Sequence, residues 1–172
     1  MKNHYLFHIQ FLGFRYHGWL KQPGYKTVQG MIEKTFAFIF QHNDFKTLGC
    51  SRTDAKVSAN HYVFELFTNN ALDPHHFLKT FNKNLPNDIR LLHLEAVSSD
   101  FNIIQAAKSK EYLYLFASGQ KNQPFCAAQV MSIDEPLDLA LMRLGAEQFQ
   151  GTHDFRRYCA EPKPNQHFIR TV

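Results

Sequence analysis

The first half of the chain alternates between short apolar strands and amphipathic helices. From Tyr5 to Phe11, aromatic and aliphatic residues occupy every second position, which predicts a strand with one strongly apolar face. The other predicted elements are a helix that Thr27 caps and that runs from Val28 to Phe40, strands at Phe45–Cys50 and His61–Thr68, a helix that starts at Asp73-Pro74, and a strand at Ile89–Val97. The order βαββαβ predicts a ferredoxin-like α+β domain over residues 1–99, with two helices on one face of an antiparallel sheet.

Beyond residue 99 the pattern begins again. Lys110–Ser118 alternates as a long strand would, and Pro136–Gln150 has the apolar spacing of a helix that Gly151 ends. Another strand could begin at Arg170, close to the last residue. One helix and one or two strands are too few for an independent core, so we expect residues 100–172 to be an incomplete second α+β domain, truncated or completed by a partner.

Composition narrows the class of protein. The 172 residues are 44% hydrophobic and include 17 Phe, enough for a sizeable core. The sequence has no run of membrane-spanning length and no signal pattern at its start, which favours a cytoplasmic protein. A formal charge of +4 is compatible with a polyanionic partner but does not by itself identify one.

The sequence contains no short motif with the spacing of metal ligands. The three cysteines are widely spaced and form no CxxC pair, which supports neither a zinc knuckle nor a disulfide framework. The ten histidines are scattered, and the pairs His4/His8 and His75-His76 lack the helical i, i+4 spacing of ligands. Structural or surface roles explain them better, and no metal site is predicted.

The densest group of reactive side chains lies between the strands that end near Cys50 and begin near His61. Arg52, Thr53 and Asp54 place a guanidinium, a hydroxyl and a carboxylate side by side. In an extended loop Arg52 and Asp54 point to the same face, and the guanidinium would keep the carboxylate ionised. Asp54 is therefore the candidate for chemistry, although an aspartate that caps an ordinary turn has the same pattern. Thr53 is expected to tether the turn.

A second loop, Gly13 to Gly24, mixes aromatic and basic side chains. Tyr16 and Trp19, close to Arg15, His17 and Lys21, suit contact with an RNA backbone. They could equally form a hydrophobic plug over the first helix.

Together these segments resemble the TruA family of tRNA pseudouridine synthases, and the resemblance spans nearly the whole chain. The family motifs match, in order, the residues 13–22, 27–30, 51–55, Asn82 with 85–89, Asp100-Phe101, 112–114, 151–155 and 170–172. The resemblance implies an isomerase that converts uridine to pseudouridine in the anticodon stem-loop of tRNA, without a cofactor, as a homodimer. Neither DNA nor a membrane is expected as a partner.

The resemblance also implies roles for three residues. Asp54 would be the catalytic carboxylate, acting as nucleophile or as the base that starts an elimination. Arg52 would enter the space left by a uridine flipped out of its stack. Tyr112 would stack on the target uracil and assist proton removal from C5, although by pattern alone it is an ordinary strand tyrosine.

The sequence departs from the family at several positions in these motifs or next to them. Ser51 and Lys56 replace glycines, Ser58 replaces a histidine and Ile104 an arginine. These changes leave open an alternative, a non-catalytic RNA-binding module or tRNA chaperone on the same scaffold, because RNA-recognition domains share the βαββαβ order. A small-molecule enzyme is least supported, because the chain has no glycine-rich phosphate loop or nucleophile triad.

Overall fold

The computed structural model describes residues 2–163 and 166–172. Its first six strands and α-helices are β1 (Asn3–Phe11), α1 (Val28–Phe40), β2 (Phe45–Gly49), β3 (Ala59–Thr68), α2 (Pro74–Asn84) and β4 (Ile89–Val97). The predicted βαββαβ order is confirmed. The strands form one antiparallel sheet in the order β2-β3-β1-β4, the arrangement expected of a ferredoxin-like fold.

One face of this sheet carries the core. Side chains alternate across a strand, so Phe7 and its neighbours two residues away all point towards the helices, where they are buried. Phe7 contacts Phe36 of α1 and both Phe77 and Phe81 of α2 at ring-centroid distances of 5.3, 6.0 and 5.6 Å. The alternate residues of β1, among them His4 and His8, therefore lie on the opposite face.

Helix termini and one strand irregularity are fixed by side chains. Thr27 and Asp73 cap α1 and α2 as predicted, by accepting hydrogen bonds from the amides of Gly30 and His75. The pairing of β1 with β4 shifts its register between His8 and Ile9. Asn82 of α2, part of one family motif, bonds both the amide (2.8 Å) and the carbonyl (2.9 Å) of Leu91 at this shift.

The chain divides into two compact units. The first comprises the residues up to Leu115 together with 124–130, and the second comprises 116–123 and 131–172. The elements after β4 are α3 (Ile103–Ala106), β5 (Phe116–Ser118), β6 (Met131–Ile133), α4 (Leu139–Glu147), β7 (Thr152–Asp154) and β8 (Ile169–Thr171). The predicted domain boundary after residue 99, and the incompleteness of the second domain, stay predictions.

The predicted long strand at Lys110–Ser118 is wrong in most of its length. Only Phe116–Ser118 is a strand, and it pairs in parallel with β6. A strand needs a partner for its backbone groups, and residues 110–115 have no partner strand within the part of the chain that the structure describes. The helix predicted at Pro136–Gln150 is also shorter, since α4 runs from Leu139 to Glu147. It begins at Leu139 because Asp138 caps it by accepting a hydrogen bond from the amide of Leu141.

Within residues 2–163 and 166–172, no helix is long and apolar enough to cross a membrane.

Candidate functional site

The loop of residues 50–58 joins β2 to β3 and carries Arg52 and Asp54. Its first part is anchored on β3. The Cys50 amide donates to the Val63 carbonyl (3.0 Å), and the Tyr62 hydroxyl donates to the Ser51 carbonyl. Burial raises the pKa of the Tyr62 hydroxyl, which therefore stays a neutral donor at ordinary pH.

The remainder of this loop rests on the glycine-rich segment between β1 and α1. The Trp19 amide donates to the Thr53 carbonyl (3.2 Å), and the Lys56 amide donates to the Tyr16 carbonyl (2.9 Å). The Gly13 amide donates to the Ser58 hydroxyl (2.9 Å). These bonds position the backbone on both sides of Asp54.

Two glycines permit this close approach. A Cβ atom on Gly13 would lie 1.8 Å from the Val57 carbonyl oxygen, and one on Gly18 would lie 2.4 Å from the Thr53 carbonyl oxygen. Gly18 also has a φ of +81°, a conformation that favours glycine. The glycines of the first motif thus shape the loop that carries Asp54.

The aromatic residues of the glycine-rich segment lie in the core. Tyr16 and Trp19 are each 2% exposed, and the Trp19 ring packs 4.3 Å from the ring of Tyr62. This favours the hydrophobic-plug interpretation of these two residues over direct contact with RNA.

Asp54 opens a tight turn that contains an unusual backbone conformation. The Val57 amide donates to the Asp54 carbonyl (3.3 Å), and Lys56, the third residue of the turn, has a φ of +67°. A turn with positive φ at its third residue favours glycine, and Lys56 is one of the positions where the family has glycine. Lys56 therefore occupies a strained site.

We expect Lys56→Gly to raise the free energy of unfolding slightly, by up to about 1 kcal/mol. It relieves roughly 1–2 kcal/mol of left-handed strain, of which the greater freedom of glycine in the unfolded chain offsets a part. Urea unfolding of the variant and the parent measures the difference. Lys56→Ala is the matched control: it removes the same amine but keeps the strain, so a gain of the same size in both variants would contradict this explanation.

A buried carboxylate connects the glycine-rich segment to the start of β4. The side chain of Asp88 is 8% exposed, and its carboxylate accepts from the Tyr16 hydroxyl (2.6 Å) and from Arg15 Nη2 (2.6 Å). The Asp88 carbonyl accepts from the Leu12 amide. Desolvation alone would raise the pKa of Asp88, but the bonds from Tyr16 and Arg15 outweigh it and hold the pKa below its usual value.

We expect Tyr16→Phe to lower the free energy of unfolding at pH 7 by about 1.5–3 kcal/mol, because it removes a hydrogen bond to a buried charge. A carboxyl with a lowered pKa stabilises the fold above its unfolded value of about 3.9 and loses that contribution as the pH falls through its folded value. The difference between Tyr16→Phe and the parent should therefore shrink below about pH 4 in urea titrations.

Tyr25→Phe is the control for that experiment. Tyr25 is 57% exposed, and its hydroxyl bonds none of the residues that the structure describes. Its removal should change stability little at either pH. A pH-independent loss in Tyr16→Phe would mean that packing, and not the bond to Asp88, is responsible.

The three residues predicted for the site are all exposed. The Asp54 carboxylate forms no hydrogen bond or salt bridge with any of the described residues, and Arg52, two residues away, makes no ion pair with it. Tyr112 is 71% exposed in a stretch without regular structure, and no contact between described residues joins it to Asp54 or Arg52. Their roles therefore stay predictions.

Two features of the loop were not predicted from the sequence. Thr53 holds the turn through its carbonyl, while its buried hydroxyl has no hydrogen-bond partner among the described residues. Ser58, noted only as a departure from the family, bonds the Gly13 amide. The local sequence does not indicate the bond between Ser58 and Gly13, because 45 residues separate them along the chain.

The chain was compared with known proteins. No family model matches it. It is 35% identical to "tRNA pseudouridine synthase A" of Dictyoglomus thermophilum over 88% of this chain and 62% of the relative. It is 34% identical to the protein of that name from Hydrogenobaculum, over 94% of this chain and 67% of the relative.

A third relative extends the match along the chain. It is "tRNA pseudouridine synthase A 2" of Bacillus cereus, 30% identical over 99% of this chain and 69% of the relative. The chain thus spans about 62 to 69% of the length of these three curated relatives. Because the identity is 30% or more across at least two thirds of a relative, the chain belongs to the tRNA pseudouridine synthase A family.

Proposed function

We propose that this protein isomerises uridine to pseudouridine in tRNA, with Asp54 as its catalytic carboxylate. The observation that carries the proposal is family membership combined with the loop of residues 50–58. This loop presents an exposed Asp54, whose carboxylate bonds none of the described residues, on a backbone anchored on both sides. An anchored backbone with a free side chain suits a residue that must meet a bulky substrate.

The conversion of uridine to pseudouridine requires little from the protein beyond a positioned carboxylate. The N-glycosidic bond breaks, the uracil turns, and a bond from C5 to C1′ of the sugar replaces it. C5 loses its proton and N1 gains one, so the product is an isomer of the substrate. Asp54 would supply the nucleophile or the base for the first step, and the sequence and the loop geometry fit either role. The C5 proton must then leave before the product is released.

Arg52 and Tyr112 complete the proposed site. Arg52 is exposed and free of carboxylate partners among the described residues, so its guanidinium is available to fill the space of a flipped uridine. Tyr112 would stack on the uracil once tRNA is bound. The anticodon stem-loop as the target and a homodimer belong to the same proposal, and they rest on the family resemblance. A cytoplasmic location, which the sequence analysis favours, is proposed with them.

The direct test is tritium release from tRNA labelled at C5 of uridine, measured with this chain and with any longer product of its gene. Tritium release with either protein supports the proposal. Release only from the longer product would mean that the activity also requires residues outside this sequence. Measurable tRNA binding without release from either would contradict it and favour the RNA-binding module instead.

A further inference from the structure

Three histidines and a glutamate meet on the sheet face opposite to α1 and α2. His8 lies on the central strand β1, directly opposite His93 of β4. His61 comes from β3 on the other side, and Glu95 lies two residues beyond His93 on the same face of β4. The candidate site described above contains none of them.

The side chains of this cluster are in contact. The His8 and His93 rings stack with centroids 3.8 Å apart, and the His8 and His61 rings stack at 5.1 Å. His8 Nδ1 lies 2.9 Å from His61 Nε2, and His8 Nε2 lies 3.3 Å from Glu95 Oε1. Each ring nitrogen of His8 therefore faces a different neighbour.

We propose that His8, His93 and Glu95 bind a divalent first-row transition metal ion such as Zn²⁺. Imidazole nitrogen and carboxylate oxygen are ordinary zinc ligands, and one ligand atom from each residue lies within 4.8 Å of the others. Three protein ligands would leave the fourth position of a tetrahedral site for water.

The distances fit such an ion with one small adjustment. Two ligand atoms at about 2.1 Å from a tetrahedral metal are about 3.4 Å apart, close to the 3.3 Å that separates His8 Nε2 from Glu95 Oε1. His93 must rotate out of its stack so that its nitrogen, and not its ring face, points at the ion. The His93 ring is exposed, as is 55% of the Glu95 side chain, so both are free to move.

His61 would act as a positioning residue. A histidine that ligates through Nε2 usually donates its other N–H to a nearby acceptor, which fixes its tautomer and orientation. His8 Nδ1 already faces His61 Nε2 at hydrogen-bond distance.

No local sequence pattern indicates this site, because its three histidines are 53 and 32 residues apart along the chain. Spacing rules detect ligands on one helix or in one turn. Here the neighbouring strands β1 and β4 bring the three ligands together, and β3, on the other side of β1, adds His61.

The test is calorimetric titration of the tag-free, full chain with Zn²⁺ at pH 7.5. We expect one saturable site, lost or weakened more than about 100-fold in His93→Asn and in Glu95→Gln, and weakened about 10- to 100-fold in His61→Asn. His76→Asn, an exposed histidine on α2, is the matched control and should bind as the parent does.

Co²⁺ as a second probe separates this site from the three cysteines. Bound Co²⁺ should show the visible absorption of nitrogen and oxygen ligands, without a thiolate charge-transfer band. No saturable binding up to millimolar Zn²⁺, a thiolate band, or equal affinity in His93→Asn and the parent would each overturn the proposal. Circular dichroism of each variant checks that the fold is intact.

Discussion

Asp54→Asn is expected to reduce tritium release from C5-labelled tRNA by about 10²- to 10⁴-fold or more, the range over which positioned acid, base and nucleophilic groups contribute. Asparagine keeps the size and shape of the side chain but cannot serve as a carboxylate nucleophile or base. The Asp54 side chain makes no bond within the described fold, so its replacement removes no structural contact. Stability and tRNA binding should both stay close to those of the parent.

Asp73→Asn is the matched control. Asp73 caps α2, and asparagine caps a helix nearly as well, so this variant carries the same chemical change at a position away from the loop. It should retain full tritium release. Release by Asp54→Asn at a rate near that of the parent would exclude Asp54 as the catalytic group and with it the proposed mechanism.

Much of the first half of the fold could be predicted from the sequence because its signals are local. The alternation of Tyr5, Phe7, Ile9 and Phe11, and the Asp73 cap, are read within a few residues, and both are confirmed. The prediction of a strand at Lys110–Ser118 was wrong in most of its length, because the alternation of apolar and polar residues indicates only which face of a strand would be apolar. The alternation does not indicate whether a neighbouring strand is present to pair with it.

The site was predictable as a set of residue types but not as a geometry. The sequence singled out Asp54 and Arg52, yet the contacts that hold their loop come from Tyr16, Trp19 and Gly13, which are far away along the chain. Backbone carbonyls accept most of these hydrogen bonds. Because every residue has a backbone carbonyl, a pattern of residue types does not indicate which of them will be used.

Gly13→Ala is expected to lower the free energy of unfolding by about 1–3 kcal/mol and to reduce tritium release about 10²-fold. The added methyl would overlap the backbone of Val57 and Lys56, whose nearest atom, the Val57 carbonyl oxygen, would be only 1.8 Å away. No side-chain rotation relieves a clash with backbone, so the loop that carries Asp54 must shift. A shift of about 1 Å is enough to misplace a catalytic group.

Gly145→Ala tests whether the effect comes from the clash or from the loss of glycine itself. A Cβ on Gly145, inside α4, would meet no atom within 4 Å, so alanine should there be neutral or stabilise the helix by about 0.5–1 kcal/mol. Urea unfolding and the tritium assay on both variants make the comparison. If Gly13→Ala kept full activity, Asp54 would not depend on the close packing of the two loops, and the link between the first glycine motif and catalysis would be lost.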